Sequence, residues 1–206
     1  MYYTPDIPSP IDLRTLKDAT DWESTAMEKR PWRTEFFDLF ASEIGKHSET
    51  AKVLELGSGP GFLAVHLLGK LPQLKLHLLD FSDAMHALAK MRLASKASSA
   101  TYITRSFLEP DWPANLGDFD CVITNQAVHE LRHKRHAANL HRAVRTLLRP
   151  HACYLVCDHY SGDDGMQNDQ LYMMIQEQKA SLIEAGFTIV EQLLVKGGLV
   201  LHPAVN

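Results

Sequence analysis

From Lys52 onward, short apolar runs alternate with stretches in which apolar positions recur every three or four residues. Residues 52–56, 74–80, 100–104, 119–125, 152–158, 188–196 and 198–202 read as strands, and 62–70, 82–96, 135–148 and 168–185 as helices. Strands alternating with amphipathic helices predict βαβ units, hence an α/β fold with a doubly wound, mostly parallel, seven-stranded sheet. Cys121-Val122-Ile123 and Tyr154-Leu155-Val156 are unbroken apolar runs, as in strands covered on both faces. The last two strands differ. They join at Gly197-Gly198, and a parallel crossover needs about a dozen residues, so the pair forms a C-terminal antiparallel hairpin. Residues 105–118 contain two prolines and little periodicity, and read as a loop.

The first fifty residues follow another pattern. Residues 1–12 are rich in Pro and Asp and read as extended; 13–50 carry helical periodicity. Trp32, Phe36 and Phe40 recur at i, i+4, i+8, with Phe37 and Leu39 beside them. Such a stripe is core packing first, with capping of a site as its second use. The expected organisation is an N-terminal helical cap over 1–50 and a ligand-binding core over 51–206.

Composition narrows the class. The chain has 206 residues, 45% hydrophobic and 22% charged, with a net charge of −4, which suits one soluble domain and gives no basic footprint for a nucleic-acid backbone. The concentrated basic run, Arg132 to His136, reads as a solvated helix start. Three cysteines, Cys121, Cys153 and Cys157, fall in apolar strands. An odd count in buried strands argues for thiols in a reducing compartment rather than disulfides. No metal-ligand set can be assembled around them. With no secretory pattern at the start and no apolar run of membrane-span length, the expected location is cytoplasmic.

Most of the functional information lies in Val-Leu-Glu-Leu-Gly-Ser-Gly-Pro-Gly, residues 53–61, where a strand enters a glycine turn that opens a helix. Gly57, Gly59 and Gly61 suit a ligand lying against the backbone and turns of positive φ. The dinucleotide pattern fails, because its last glycine would fall on Phe62. Pro60 removes an N–H that a phosphate would use. The carboxylate of Glu55 would repel pyrophosphate but suits an ammonium. Asp80 ends the second strand, where a carboxylate accepts from a ribose diol. Ser82 suits the cap of the next helix and leaves Asp80 for the ligand. The expected ligand carries a ribose and a positive charge, without phosphate.

These residues, Glu-Leu-Gly-Ser-Gly-Pro-Gly (55–61) and Leu-Leu-Asp-Phe-Ser (78–82), are followed by three further segments. They are Phe-Asp-Cys-Val-Ile-Thr-Asn-Gln-Ala-Val-His-Glu-Leu (119–131), Leu-Leu-Arg-Pro (147–150) and Glu-Ala-Gly-Phe (184–187). In that order and spacing the set resembles the class I S-adenosylmethionine-dependent methyltransferases, in their small-molecule branch, over residues 50–202. The resemblance implies the Rossmann-like methyltransferase fold and S-adenosyl-L-methionine as cofactor. It implies that Gly57, Ser58, Gly59 and Gly61 approach the methionine part, with Glu55 near its ammonium. Asp80 would hold the ribose and Phe81 pack on the adenine. Ser106, before Phe107, stands where the family commonly has an acidic reader of the adenine amino group. Asn125 and Gln126 would lie beside the sulfonium and its methyl.

A sulfonium methyl is already activated, so the protein mainly aligns the acceptor and excludes water. A base is needed only when the acceptor must lose a proton. His129 is the candidate, with a reference pKa near neutrality; its alternative role is to fill the gap between loop and helix. Asp158, His159 and Tyr160 end the fifth strand and are candidates for an acceptor pocket. The expected partner is a small-molecule acceptor. A non-catalytic cofactor-binding module and a protein or RNA methyltransferase stand as the other readings. The sequence at 125–128, Asn-Gln-Ala-Val, lacks the Asn-Pro-Pro-Tyr of nucleic-acid amino-methyltransferases. Oligomeric state and accepting atom have no signal in the sequence.

Overall fold

The computed structural model describes residues 5–206. Two helices, α1 (Leu16–Ala26) and α2 (Arg33–Gly45), precede β1 (Lys52–Leu56), α3 (Phe62–Lys70), β2 (Lys75–Asp80), α4 (Asp83–Leu93) and β3 (Ala100–Thr104). After a loop come β4 (Phe119–Asn125), α5 (Ala137–Arg145), β5 (Leu148–His159), α6 (Ile175–Glu184), β6 (Ile189–Val190), β7 (Leu194–Lys196) and β8 (Leu199–Val205). The sheet runs β3-β2-β1-β4-β5-β8-β6, with β7 also on β8. The pairs among β1 to β5 are parallel, and β8 runs antiparallel to β5.

Side-chain alternation divides the core into two layers. Val53, Leu76, Leu78, Ile123 and Leu155 pack against Phe36, Phe40, Leu63, Leu67 and Ala89 of α2 to α4. Leu54, Leu56, Val122, Tyr154 and Val156 pack on the other face against Leu140 and Val144 of α5 and Leu182 of α6. The sheet is therefore doubly wound, as the apolar runs predict. The aromatic stripe is core: Phe36 and Phe40 are fully buried, each contributing about 1.5–3 kcal/mol. The N-terminal helix α2 thus shares one core with the strands.

Several boundaries differ from expectation, each for a local reason. The single strand expected over 188–196 is split into β6 and β7, so the sheet has eight strands rather than seven. Both pieces pair with β8, and Glu191 and Leu193 still donate to Pro203 and Leu201 between them. The expected helix 168–185 begins only at Ile175. Asn168, at φ +81°, instead draws the Gln170 and Leu171 N–H groups to its own side chain, a local turn that competes with the helix. Helix 82–96 stops at Leu93 because Ala94 takes φ +50°. Strand β5 starts at Leu148 rather than 152, with an irregularity in its register against β4 between Phe119 and Cys121.

Chain order reverses at the β1–β4 boundary, where β2 and β3 leave on one side and β4 and β5 on the other. Ligand crevices in such sheets open there, beyond the strand carboxyl ends.

Candidate active site

A cavity opens at that boundary. Its walls come from the β1 turn, the β2 end (Asp80, Phe81), the β4 end (Asn125 to His129), His159, Tyr172 and the N-terminal residues Ile11, Leu13, Trp22, Arg30, Arg33 and Phe37.

The glycine turn forms the floor. Gly57, Gly59 and Gly61 have φ of +66°, +54° and +77°. Packing inside the protein accounts for two of them without a ligand. A Cβ on Gly57 would lie 2.5 Å from Ala127 Cβ, and one on Gly61 3.1 Å from Ala89 Cβ. A Cβ on Gly59 would meet nothing within 4 Å. The turn's donors are spent within the protein. The Gly57 and Ser58 N–H groups donate to Leu79 O (2.8 and 3.1 Å), Gly59 N–H to Asp80 Oδ2 (2.8 Å) and Gly61 N–H to Ser58 O (3.3 Å). Pro60 has none, so the turn offers no cradle for phosphate.

Two carboxylates face this turn. Glu55, only 3% exposed, leaves Oε2 without a hydrogen-bond partner. Burial, and then nearby Asp80, push its pKa well above the usual range. A positively charged ligand group would satisfy that oxygen and restore its charge. Asp80 is less free than expected. Its Oδ2 holds the Gly59 N–H and its Oδ1 the Ser82 N–H at 3.0 Å. Each oxygen keeps a second lone pair. Burial raises the Asp80 pKa against these two donors. Ser82 caps α4 through the Met85 N–H, as expected.

Phe81 lies at the same end with Ile11, Leu13, Met85 and Phe107, an apolar bed for a flat ring. The Arg14 guanidinium lies 5.0 Å from the Phe81 ring centre. Ser106 does not line the cavity: its hydroxyl accepts the Leu108 N–H at 3.2 Å in a local turn. The expectation that Ser106 replaces the acidic adenine reader therefore has no support in its position.

At the far end His129 stands on a short 3-10 helix, Val128–Leu131. Its Nδ1 lies 2.7 Å from Asp158 Oδ1, its backbone N–H donates to Asp158 Oδ2 at 2.8 Å, and its Nε2 lies 3.3 Å from Glu130 Oε1. Burial opposes a charge here, but the two carboxylates together raise its pKa to about 10. The two carboxylates thus hold the imidazole as a cation at neutral pH, its pKa well above the reference value. Asp158 is buried and outside the cavity lining; it orients His129 instead of meeting an acceptor. His159 lines the cavity, and burial lowers its pKa to about 4, leaving it neutral. Tyr160 is buried outside the lining, its hydroxyl turned to Asp164 O at 3.5 Å. Tyr172 takes the place expected of Tyr160, with ring centres 5.5 Å from His129 and 5.8 Å from His159. Among the described residues, no group of three or more His, Cys, Asp or Glu side chains could hold a metal ion, and no helix is long and apolar enough to cross a membrane.

The N-terminal wall is held by the last hairpin. A Cβ on Gly197 would come within 2.3 Å of the Trp32 indole, so the turn lies flat on that ring. Lys196 pairs with Glu35 at 2.6 Å, and Gly198 O faces His159 Nδ1 at 3.3 Å.

Sequence reasoning missed Arg30, Arg33, Trp22 and Tyr172. One signal was present. Arg33 stands three, four and seven residues before Phe36, Phe37 and Phe40, so a helix that buries those rings buries the guanidinium too.

Comparison with known proteins agrees with this geometry. A profile of the methyltransferase domain matches residues 53–151. The chain is 26% identical over 162 residues to a malonyl-[acyl-carrier protein] O-methyltransferase of Paenibacillus sp. (strain JDR-2), covering 71% of this chain and 58% of that protein. Among solved structures, an O-methyltransferase family protein from Burkholderia thailandensis superposes with a TM-score of 0.74 at 19% identity, over 92% of this chain and 60% of the other. Human N-acetylserotonin methyltransferase, solved with S-adenosylmethionine, gives 0.68 at 14% identity, over 94% and 57%. The chain thus spans less than two thirds of the length of these relatives. Residues 53–151 thus match the methyltransferase-domain family, and the chain shares the Rossmann-like fold of these S-adenosylmethionine-dependent methyltransferases.

Proposed function

We propose that the protein transfers the methyl group of S-adenosylmethionine to a nucleophile on a small-molecule acceptor. The observation that supports this best is the continuity of the cavity. One space runs from Asp80 and Phe81, past Glu55 and the glycine turn, to His129, His159 and Tyr172. When bound, the cofactor supplies a methyl on a cationic sulfonium, ready for in-line displacement.

The residues divide along that space. Asp80 accepts the ribose hydroxyls with its remaining lone pairs. Phe81 and Phe107 face the adenine. Glu55 meets the ammonium. Gly59 leaves its side open to the methionine chain, while Gly57, Ser58 and Gly61 fix the turn. Asn125 and Gln126 border the point of transfer; Asn125 Oδ1 and Gln126 Nε2 are both buried without partners. His129, oriented by Asp158, handles the acceptor's proton. A cation placed beside it lowers its pKa, so cofactor binding moves His129 toward the proton-free form that a base requires. His159 and Tyr172 shape the acceptor end.

The basic run gives no support to a macromolecular acceptor. None of residues 132–136 lines the cavity. Arg135 and His136 pair with Asp6, Lys134 with Glu177, and Arg132 with Glu130 and the carbonyls of Ile7 and Pro8. An acceptor-library screen for S-adenosylhomocysteine release tests the proposal, beginning with hydroxyl and carboxyl compounds because the relatives are named as O-methyltransferases. Cofactor binding with no turnover across the library would favour the non-catalytic module.

A further inference from the structure

The end of the sheet away from the cofactor cavity holds a second cluster of reactive groups. Cys121 and Cys153 are register partners on the parallel strands β4 and β5. Such partners point to the same face, and adjacent strands lie about 4.8 Å apart, a Cα separation that a disulfide spans. Both side chains are free thiols, and their sulfurs are 3.0 Å apart. Cys157 stands four residues further along β5, opposite Asn125 instead of a thiol.

The surroundings distinguish this pair from ordinary buried thiols. Phe119 pairs with Leu148 and Cys121 with Cys153, so residues 149–152 bulge out of the ladder just before Cys153, and His151 takes φ +63°. Bulges of this kind open sheet edges beside reactive groups. Here the bulge forms one wall of a surface cleft, with His47, Thr50 and Asp120 on the other, and the cleft ends at Ala152. His47, just after α2, reaches the Cys153 sulfur. Cys121, with His47 in support, lowers the Cys153 pKa against the effect of burial, while burial and then Cys153 push that of Cys121 well up. One thiol is poised to ionise and the other keeps its proton. Glu43 and Asp120 face the cluster, but Lys46 and Arg149 pair with them. A low-pKa thiol beside a protonated one is the arrangement of oxidant-sensitive cysteines.

We infer that Cys153 is a modification site for small hydroperoxides and that Cys121 resolves it as an intrachain disulfide. The Cys153 sulfur attacks one peroxide oxygen and the O–O bond breaks. Cys153 becomes a sulfenic acid, and the leaving alkoxide or hydroxide takes the thiol proton held by His47. The Cys121 sulfur then attacks the Cys153 sulfur, the S–O bond breaks, and hydroxide leaves with the Cys121 proton as water. Two thiols lose two electrons and the peroxide gains them. This chemistry is separate from methyl transfer, because the pair lies toward the amino ends of β4 and β5 and the cofactor cavity beyond their carboxyl ends.

The test treats the reduced wild-type protein with hydrogen peroxide near equivalence at pH 7 and follows intact mass and mapped peptides. The chain should lose the mass of two hydrogen atoms, with Cys121 joined to Cys153 and Cys157 still open to alkylation after unfolding, and dithiothreitol should reverse the change. Cys121→Ala should instead leave a sulfenic acid on Cys153 that dimedone captures. His47→Gln should slow the reaction about 10-fold at pH 7 and move the midpoint of the rate–pH profile up toward that of an ordinary thiol. Equal oxidation of Cys153 and Cys157, or a Cys153 no faster in the folded protein than in urea, would overturn the inference. So would a disulfide between chains, or a Cys153 that oxidises while Cys121 stays reduced. The comparison among wild-type thiols needs no variant, so a Cys121→Ala protein that fails to fold leaves the proposal open to refutation.

Discussion

Replacing Asp158 with Asn tests the His129 pair directly. The substitution keeps the shape and removes one of two carboxylates that hold the imidazolium. An opposite charge at hydrogen-bond distance raises an imidazole pKa by about 1–3 units, so His129 should titrate about 1–3 units below its wild-type value. The same change appears in stability. A histidine with pKa 6.5 unfolded and about 10 folded stabilises the fold fully below pH 6.5, and the contribution disappears as pH rises through 10. Between those limits the native state holds a proton that the unfolded chain has released, and each unit costs about 1.4 kcal/mol. Wild type should therefore lose about 3–5 kcal/mol over this window from this group. In Asp158→Asn the window narrows by the same shift of about 1–3 units, so the loss across it should shrink by about 1.4–4 kcal/mol. Urea denaturation of both proteins at pH 6 and pH 10, with the His129 ring followed by NMR, measures both effects. Parallel stability curves, or an unmoved His129 titration, would refute the assignment. The difference between the two proteins cancels the tyrosines and lysines that titrate in both.

The remaining predictions concern the cofactor end. Asp80→Ala should weaken S-adenosylhomocysteine binding by about 1–3 kcal/mol; unchanged calorimetric affinity would remove Asp80 from the ribose site. Glu55→Gln should raise stability at pH 8, because a carboxyl whose folded pKa is raised by burial destabilises the fold above its unfolded pKa. The same variant should bind cofactor more weakly, and a melting temperature below wild type would contradict the first half. Gly57→Ala combines left-handed strain of about 1–2 kcal/mol with a 2.5 Å approach to Ala127 Cβ, so thermal unfolding should fall well below that of Gly59→Ala. The latter carries the same left-handed strain without that contact and should lose affinity as well; the reverse order of melting temperatures would sink this account.

The layers of the fold were readable because burial on both faces writes itself as unbroken apolar runs, as at Cys121 to Ile123. The glycine turn and Asp80 were readable because left-handed backbone and a strand-end acid each restrict residue type. Boundaries set by single side chains were not: Asn168 stopped a helix whose apolar periodicity continues through it. The acceptor end resisted for a related reason. Asp158, His159 and Tyr160 are consecutive, but one orients His129, one reaches the cavity and one turns away, while Tyr172 enters from a loop. Arg33 was hidden among aromatic residues, where the stripe read as packing and the charge within it went unweighed.

The hairpin turn at Lys196 to Gly198 has a consequence for the order in which the molecule becomes competent. It touches Trp32 and Glu35 beside Arg33, and His159 at the acceptor end. The ribosome makes this turn after the glycine loop, Asp80 and His129 have all emerged. A nascent chain shorter than this point carries every motif of the cofactor site but lacks the strut that holds two of its walls. Ligand-induced protection from proteolysis should therefore arise only once the last hairpin is present.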